Sequence, residues 1–159
     1  MPPAQAIAAV ALAKALAVAR ALAGGDRPAI VLGADTEVVL DGRLLGKPRD
    51  ADDAARMLRD LRGREHEVIT GLALVEVPAP GPALEPETAS VTSRVRMGEY
   101  SDGEIAAYVA TGEPLDKAGA YAVQGLGGRL VAAVDGCFTN VIGLPLTTTR
   151  ALLSRRGLL

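Results

Sequence analysis

The chain has 159 residues, enough for one domain with a buried core. Hydrophobic residues make up 49% of the chain and charged residues 23%, which is ordinary for a globular protein. The net charge of −2 gives no electrostatic footprint for nucleic acid or an anionic membrane, so we expect neither as a partner. A single cysteine excludes an internal disulfide, and a single histidine excludes a multi-histidine metal site.

The chain begins with a long alanine-rich run that predicts a helix. Pro2 and Pro3 precede this run, and Gly24 and Gly25 end it. Lys14 interrupts the apolar residues, and no basic side chain precedes them as in a signal peptide. We therefore predict a helix of a soluble, cytoplasmic protein.

Short apolar runs and turn signals predict the remaining elements. An apolar run predicts a buried strand, Asp41-Gly42 predicts a hairpin, and Ser101 with Glu104 forms the capping-box pattern of a helix start. In chain order we predict a strand at 29–33, a hairpin of 38–40 with 43–45, a helix at 51–61, strands at 67–77 and 88–97, a helix from 101 to 112, glycine-punctuated strand and loop from 113 to 145, and a helix at 146–156. This order predicts a single mixed α/β domain over residues 1–159.

Asp35 and Thr36 directly follow the first predicted strand. A carboxylate at the end of a core strand is a common place for a ligand in α/β proteins. Asp35 and Glu37 are two acids two residues apart, which can hold a divalent cation, or one of which can take a proton from water. The alternative is a turn in which the side chains of Asp35 and Thr36 hydrogen-bond locally, and spacing alone favours that turn.

Two further candidate residues are Lys47, in a predicted loop, and His66, at the start of a predicted strand. Lys47 lies between Gly46 and Pro48, on a constrained backbone that suits a point charge for phosphate, although an exposed lysine is more often only solvated. His66 begins a predicted strand, where it either pairs with a carboxylate or phosphate oxygen or is a structural histidine.

Residues 116–125 form the densest polar cluster. They combine Asp116, Lys117, two glycines and Gln124. A glutamine amide offers both a donor and an acceptor to a base edge, and Gln124 needs a partner because it lies in an otherwise apolar predicted strand. The alternative is an Asp116–Lys117 turn followed by an ordinary strand. From the residues alone, we predict an anion-binding α/β enzyme with carboxylate chemistry.

Taken in order, these clusters resemble the Maf family of nucleoside triphosphate pyrophosphatases, in particular its dTTP/UTP-type branch. The resemblance covers nearly the whole chain. The matching segments are residues 12–15, 33–36, 45–48, 63–71, 104–105, 112–114, 116–121, 124–125 and 140–145.

The resemblance implies a two-lobed fold with a mixed central sheet, related to the inosine triphosphate pyrophosphatases, and a substrate cleft between the lobes. It implies cleavage of a nucleoside triphosphate, dTTP or UTP, between its α and β phosphates with Mg2+ or Mn2+ as cofactor. A homodimer is also typical of the family.

Roles for individual residues follow from the same resemblance. Asp35 resembles the family's proton acceptor and is expected to contact the metal, and Thr36 resembles a position tied to substrate choice. Lys14, Lys47 and Lys117 resemble basic positions that compensate the triphosphate charge. Gln124 resembles the glutamine of the dTTP/UTP branch, where the branch acting on 7-methyl-GTP tends to carry glutamate.

The family's Ser-x-Ser-x-Arg-Arg-like phosphate-binding segment lies upstream of the helix that opens this sequence. From the resemblance, we therefore expect a chain without that segment. The alternative function is a catalytically impaired nucleotide-binding or regulatory protein of the septum-formation type.

Overall fold

A computed structural model describes all 159 residues as five helices around one five-stranded sheet. The helices are α1 (Pro3–Leu22), α2 (Ala51–Leu61), α3 (Asp102–Ala110), α4 (Phe138–Ile142) and α5 (Leu146–Arg155). The strands are β1 (Ala29–Leu40), β2 (Arg43–Leu44), β3 (Glu65–Val77), β4 (Glu87–Met97) and β5 (Val131–Asp135). Three short 3-10 helices, Glu113–Asp116, Ala118–Ala120 and Gly125–Leu130, fill the connection from α3 to β5. The predicted single α/β domain is confirmed.

The sheet has the order β2-β1-β3-β4-β5, and every neighbouring pair is antiparallel. The prediction of a mixed sheet was therefore wrong. A parallel neighbour requires a crossover that returns the chain to the end at which the first strand began. Here each strand begins at the same end of the sheet at which its neighbour in the sheet finished, so the two strands run in opposite directions.

Strand β1 is longer than the sequence indicated. It runs without a break through Asp35 and Thr36, which pair with Gly71 and Thr70 of β3. The predicted strand at 29–33 was therefore too short, and the alternative of a local turn at Asp35 was wrong. The long partner β3 offers a hydrogen bond to every backbone group on that side of β1, which outweighs the local turn preference of an aspartate.

The outer edge of β1 is mostly open. Strand β2 pairs only with Val39 and Leu40, so residues 29–37 have a strand neighbour on one side only. This edge borders a deep cleft.

Helix α1 packs against one face of β1 and β3 at unusually close range. Its buried residues are Ile7, Ala11, Ala15 and Ala19, spaced four apart along one side. The sheet beneath it carries Gly71, where a Cβ would lie 2.6 Å from the backbone N and Cα atoms of Ala8. Helix α1 is long and apolar enough to cross a membrane by length and composition. In this structure its alanine face packs against the sheet in the core of the domain.

Two main cores lie at opposite ends of the long strands. The larger one lies between the sheet and helices α2 and α3, and includes Leu58, Val95 and Ile105. The other lies under α1 and includes Val31 and Val75. The chain therefore has two packed halves on one continuous sheet, in agreement with the predicted two-lobed domain.

We predict that Gly71→Ala lowers the free energy of unfolding by about 1–3 kcal/mol, because the new methyl group collides with backbone of α1 that cannot move aside. Urea unfolding measures the change. The matched control is Gly103→Ala in α3, where the nearest atom to a new Cβ is 3.7 Å away and alanine favours the helix. Equal stability of Gly71→Ala and the parent protein would contradict the close approach of α1.

Candidate active site

A cleft of about 680 Å³ follows the open edge of β1. Because side chains alternate along a strand, β1 contributes residues to the cleft from both of its faces. All six site residues predicted from the sequence line this one cleft: Lys14, Asp35, Thr36, Lys47, Lys117 and Gln124. The structure therefore brings together residues that are up to 110 positions apart in the chain.

The face of β1 that packs toward α1 carries the acidic part of the cleft. The Nζ atom of Lys14 lies 2.6 Å from Oδ1 of Asp35, and this lysine comes from the helix packed on Gly71. Glu37 lies two residues further along the same face, and its Oε2 atom is buried without a hydrogen-bond partner. Burial, followed by the charge of Asp35, raises the pKa of Glu37 above its usual value, although Lys14 and Lys47 oppose this.

The opposite face of β1 carries Thr36, whose hydroxyl group belongs to a short chain of hydrogen bonds. The Oγ1 atoms of Thr36 and Thr70 are 2.8 Å apart; Thr70 also lies 3.1 Å from the carbonyl of Asn140, and Thr36 lies 3.4 Å from that of Gly143. Thr70 has one hydroxyl proton, which it donates either to the carbonyl of Asn140 or to Thr36. In the first case Thr36 donates its own proton to Thr70, and in the second case it donates to the carbonyl of Gly143. Thr36 can therefore accept a hydrogen bond from a ligand while its own proton stays within the protein.

The loops that carry Lys47 and Lys117 are joined to each other. The backbone N–H of Gly119 donates to the carbonyl of Gly46 at 2.8 Å, which holds the two lysines on the same side of the cleft. Lys117 pairs with Asp116 at 2.7 Å, in an exposed contact that contributes little to stability. Lys47 has no carboxylate within ion-pair distance in the chain, so its charge is available to an anion.

The charges of the cleft nearly balance. Three lysines and four carboxylates line it, which gives a formal charge of −1 when all are ionised. No three carboxylate, histidine or cysteine side chains are close enough together to hold a metal ion alone. A strongly anionic ligand is therefore attracted by individual lysines rather than by a uniformly positive surface.

Gln124 lies in a turn and not in a strand. It stands between two of the short 3-10 helices, with an exposed side chain that makes no hydrogen bond within the chain. The prediction that Gln124 belongs to an apolar strand was wrong, because Gly119 and Gly125 both adopt positive φ angles that break an extended run. Its amide group is free to contact a ligand in the cleft.

A family model described as Maf-like protein matches residues 1–156. The chain belongs to the Maf family. A dTTP/UTP pyrophosphatase of Anaeromyxobacter sp. (strain Fw109-5) is 53% identical over 147 residues, which cover 92% of this chain and 71% of that relative. One with the same name from Moorella thermoacetica is 50% identical over 157 residues, covering 99% of this chain and 77% of the relative. One from Dictyoglomus turgidum is 51% identical over 131 residues, covering 82% and 66%.

His66 lies outside the cleft of this Maf protein, in the core. Its Nε2 atom is 2.6 Å from the hydroxyl oxygen of Tyr121, and the side chain is 3% exposed. The alternative in which His66 contacts a phosphate is therefore wrong, and the structural alternative is confirmed. Tyr121 lines the cleft, so His66 supports the wall of the site from behind.

Glu37, which the sequence offered as a second acid two residues after Asp35, shares a face with Asp35 because this segment is a strand. A further carboxylate of the cleft, that of Glu113, had no predicted role. Glu113 lies in the connection after α3, and its carboxylate contacts the segment that follows Gln124. No local pattern predicts that contact, because its partners are thirteen and fourteen residues away.

We predict that His66 makes the stability of the protein depend on pH. Burial lowers the pKa of His66 from 6.5 to about 4, so between these values the unfolded chain binds a proton that the folded chain excludes. The free energy of unfolding should therefore fall as the pH falls through this window, by up to about 1.4 kcal/mol per pH unit from this residue.

The measurement is urea unfolding at several pH values, for the parent protein and for His66→Gln. Carboxylates titrate in both proteins, so their effect cancels in the difference. The parent should lose stability more steeply than the variant from pH 6.5 to pH 4, and parallel curves would show that His66 is not buried in its neutral form.

Proposed function

We propose that this Maf protein hydrolyses a nucleoside triphosphate between its α and β phosphates, releasing a nucleoside monophosphate and pyrophosphate. The observation that carries the proposal is the meeting of Asp35 with Lys14, Lys47 and Lys117 in one cleft. A phosphate ester resists attack because of its own negative charge, so a site for this reaction needs cations beside a group that activates water. The cleft has both.

Asp35 is the proposed general base. Water adds to phosphorus, the bond between the α and β phosphates breaks, pyrophosphate leaves, and the proton of the water passes to the carboxylate of Asp35. The 2.6 Å contact with Lys14 fixes the orientation of this carboxylate, and its position within a paired strand fixes the backbone beneath it. A base held in this way has little freedom to turn away from the water.

The residues beside Asp35 suit a divalent cation, Mg2+ or Mn2+. Asp35 and Glu37 share one face of β1, and Oε2 of Glu37 is a buried oxygen without a partner. Mg2+ is usually held by one or two carboxylates together with water and substrate phosphates, so a site without three clustered ligands still fits it. When bound, such a cation supplies positive charge to the phosphates in a cleft whose own formal charge is −1.

The proposed substrates are dTTP and UTP, the nucleotides in the names of the relatives. Uracil and thymine present an N–H donor beside a carbonyl acceptor, and the amide of Gln124 offers the complementary acceptor and donor. Thr36 adds a second acceptor on the same cleft. A glutamate at position 124 would offer acceptors only.

The alternative is a nucleotide-binding or regulatory protein without catalysis. The names of the relatives favour the enzyme, and a protein that only binds needs no general base such as Asp35. We further propose a cytoplasmic location, which fits a family of soluble enzymes and the packing of α1 against the sheet. A homodimer stays a prediction.

We predict that Asp35→Asn lowers kcat for dTTP by about 10²- to 10⁴-fold, because an amide cannot take a proton from water. Asparagine has nearly the same shape, so nucleotide binding should persist. Pyrophosphate release with Mg2+ or Mn2+ measures turnover, and calorimetry with a non-hydrolysable nucleotide measures binding. A variant that hydrolyses dTTP at the parent rate would exclude Asp35 as the base; a parent protein inactive on dTTP, UTP, CTP and GTP would exclude the enzyme.

We predict that Gln124→Glu lowers kcat/KM for UTP by about 10- to 100-fold, because the carboxylate opposes the carbonyl acceptor of uracil and leaves it without a donor. The control substrate is inorganic tripolyphosphate, which has no base. The kcat/KM for this substrate should change much less than that for UTP. An equal loss for both compounds would show that Gln124 does not contact the base.

A further inference from the structure

The segment that follows Gln124 is held by the carboxylate of Glu113. The backbone N–H of Leu126 donates to Oε2 of Glu113 at 3.2 Å, and the N–H of Gly127 donates to Oε1 at 3.0 Å. These two amides open the 3-10 helix Gly125–Leu130, directly after the residue proposed to contact the base. One side chain therefore fixes the first turn of that segment.

The carboxylate of Glu113 is itself fixed to the core. The hydroxyl group of Tyr108 donates to Oε1 of Glu113 at 2.9 Å, and Tyr108 is 6% exposed on the buried side of α3. Burial raises the pKa of Tyr108, so this hydroxyl remains a donor across the physiological range. The three donors, of which the Gly127 amide contributes most, lower the pKa of Glu113 and keep it ionised.

The backbone around this contact has no space for side chains. Gly125 adopts a φ of +77°, and a Cβ at that position would lie 2.9 Å from Oε2 of Glu113. A Cβ on Gly127 would collide with the hydroxyl group of Tyr108. The glycines let the turn after Gln124 close over the carboxylate at hydrogen-bond distance.

Glu113 also lines the cleft, where a free carboxylate would repel a triphosphate. Its three donors satisfy both oxygens, which distinguishes it from Glu37, whose Oε2 has no partner. A carboxylate whose two oxygens both accept from fixed donors holds the chain in place, and less of its charge is directed at the ligand.

We propose that Glu113 is a positioning residue for nucleobase recognition: it fixes the turn after Gln124 and so presents the Gln124 amide to the base. The inference rests on the proposed function for the identity of the ligand. It also explains how an exposed glutamine without a partner in the chain contacts a base selectively, since the rigid backbone supplies the order that its side chain lacks.

The test is a double-mutant cycle between the two residues. The variants are Glu113→Ala, Gln124→Ala and the double variant, with Glu85→Ala as the control for loss of a negative charge on an exposed loop. Calorimetry gives the Kd of α,β-imido-dUTP, which cannot be cleaved, in the presence of Mg2+. Each of the two single variants should raise Kd about 3- to 10-fold, and the double variant should match Gln124→Ala alone. Glu85→Ala should bind as the parent does.

The positioning role would be overturned if the Kd increases of the two single variants multiplied in the double variant. It would also be overturned if Glu113→Ala bound the analogue with the same Kd as the parent protein. Glu113→Gln keeps an oxygen that accepts from the Gly127 N–H, so it should recover most of the lost affinity. If Glu113→Ala does not fold, the cycle is run with Glu113→Gln, whose smaller effect of about twofold should vanish in the Gln124→Ala background.

Turnover of dTTP by the parent protein is measured separately. A parent that binds the analogue but does not hydrolyse dTTP would overturn the proposed reaction and leave the cycle readable. A parent that hydrolyses dTTP while the two effects multiply would overturn only the positioning role. A parent that does not bind the analogue would overturn the inference.

Discussion

The contact between Lys14 and Asp35 depends on how closely α1 approaches the sheet. Alanines at every fourth position of the helix lie on strands that carry glycine beneath them, and a single methyl group at Gly71 would collide with the helix backbone. At this distance the Lys14 side chain reaches a strand residue of the neighbouring layer at 2.6 Å. A larger residue on either surface would separate the layers and remove the charge that orients the proposed base.

The second constraint is the open edge of β1. A strand in the interior of a sheet presents its two faces to two separate environments, whereas an edge strand lets one cleft reach both. The two faces carry residues with different proposed roles: Asp35 and Glu37 lie on the face toward α1, and Thr36 lies on the face toward α4. Proposed chemistry and proposed base recognition therefore meet on consecutive residues of one strand.

The carboxylates of the cleft have different surroundings, and the surroundings indicate different uses. Asp35 pairs with a lysine, Glu37 has a buried oxygen without a partner, and Glu113 is satisfied by three donors. The same functional group thus serves as a proposed base, a proposed metal contact and a proposed anchor for the backbone. Burial and hydrogen bonding, rather than residue type, separate these roles.

The sequence by itself determined the family from its ordered motifs and predicted the six residues that line the cleft. It also determined most elements, because capping boxes, hairpin signals and apolar runs are local. Helices α1, α2 and α5 and strands β3 and β4 lie within a few residues of their predicted bounds. Only the tertiary structure decided that Asp35 lies within a strand, that the sheet is antiparallel, that His66 is buried and that Glu113 holds the turn after Gln124. These features depend on partners that are distant in the chain. A hydrogen bond from a neighbouring strand or turn outweighs the conformation that the residue prefers locally, such as a turn at an aspartate.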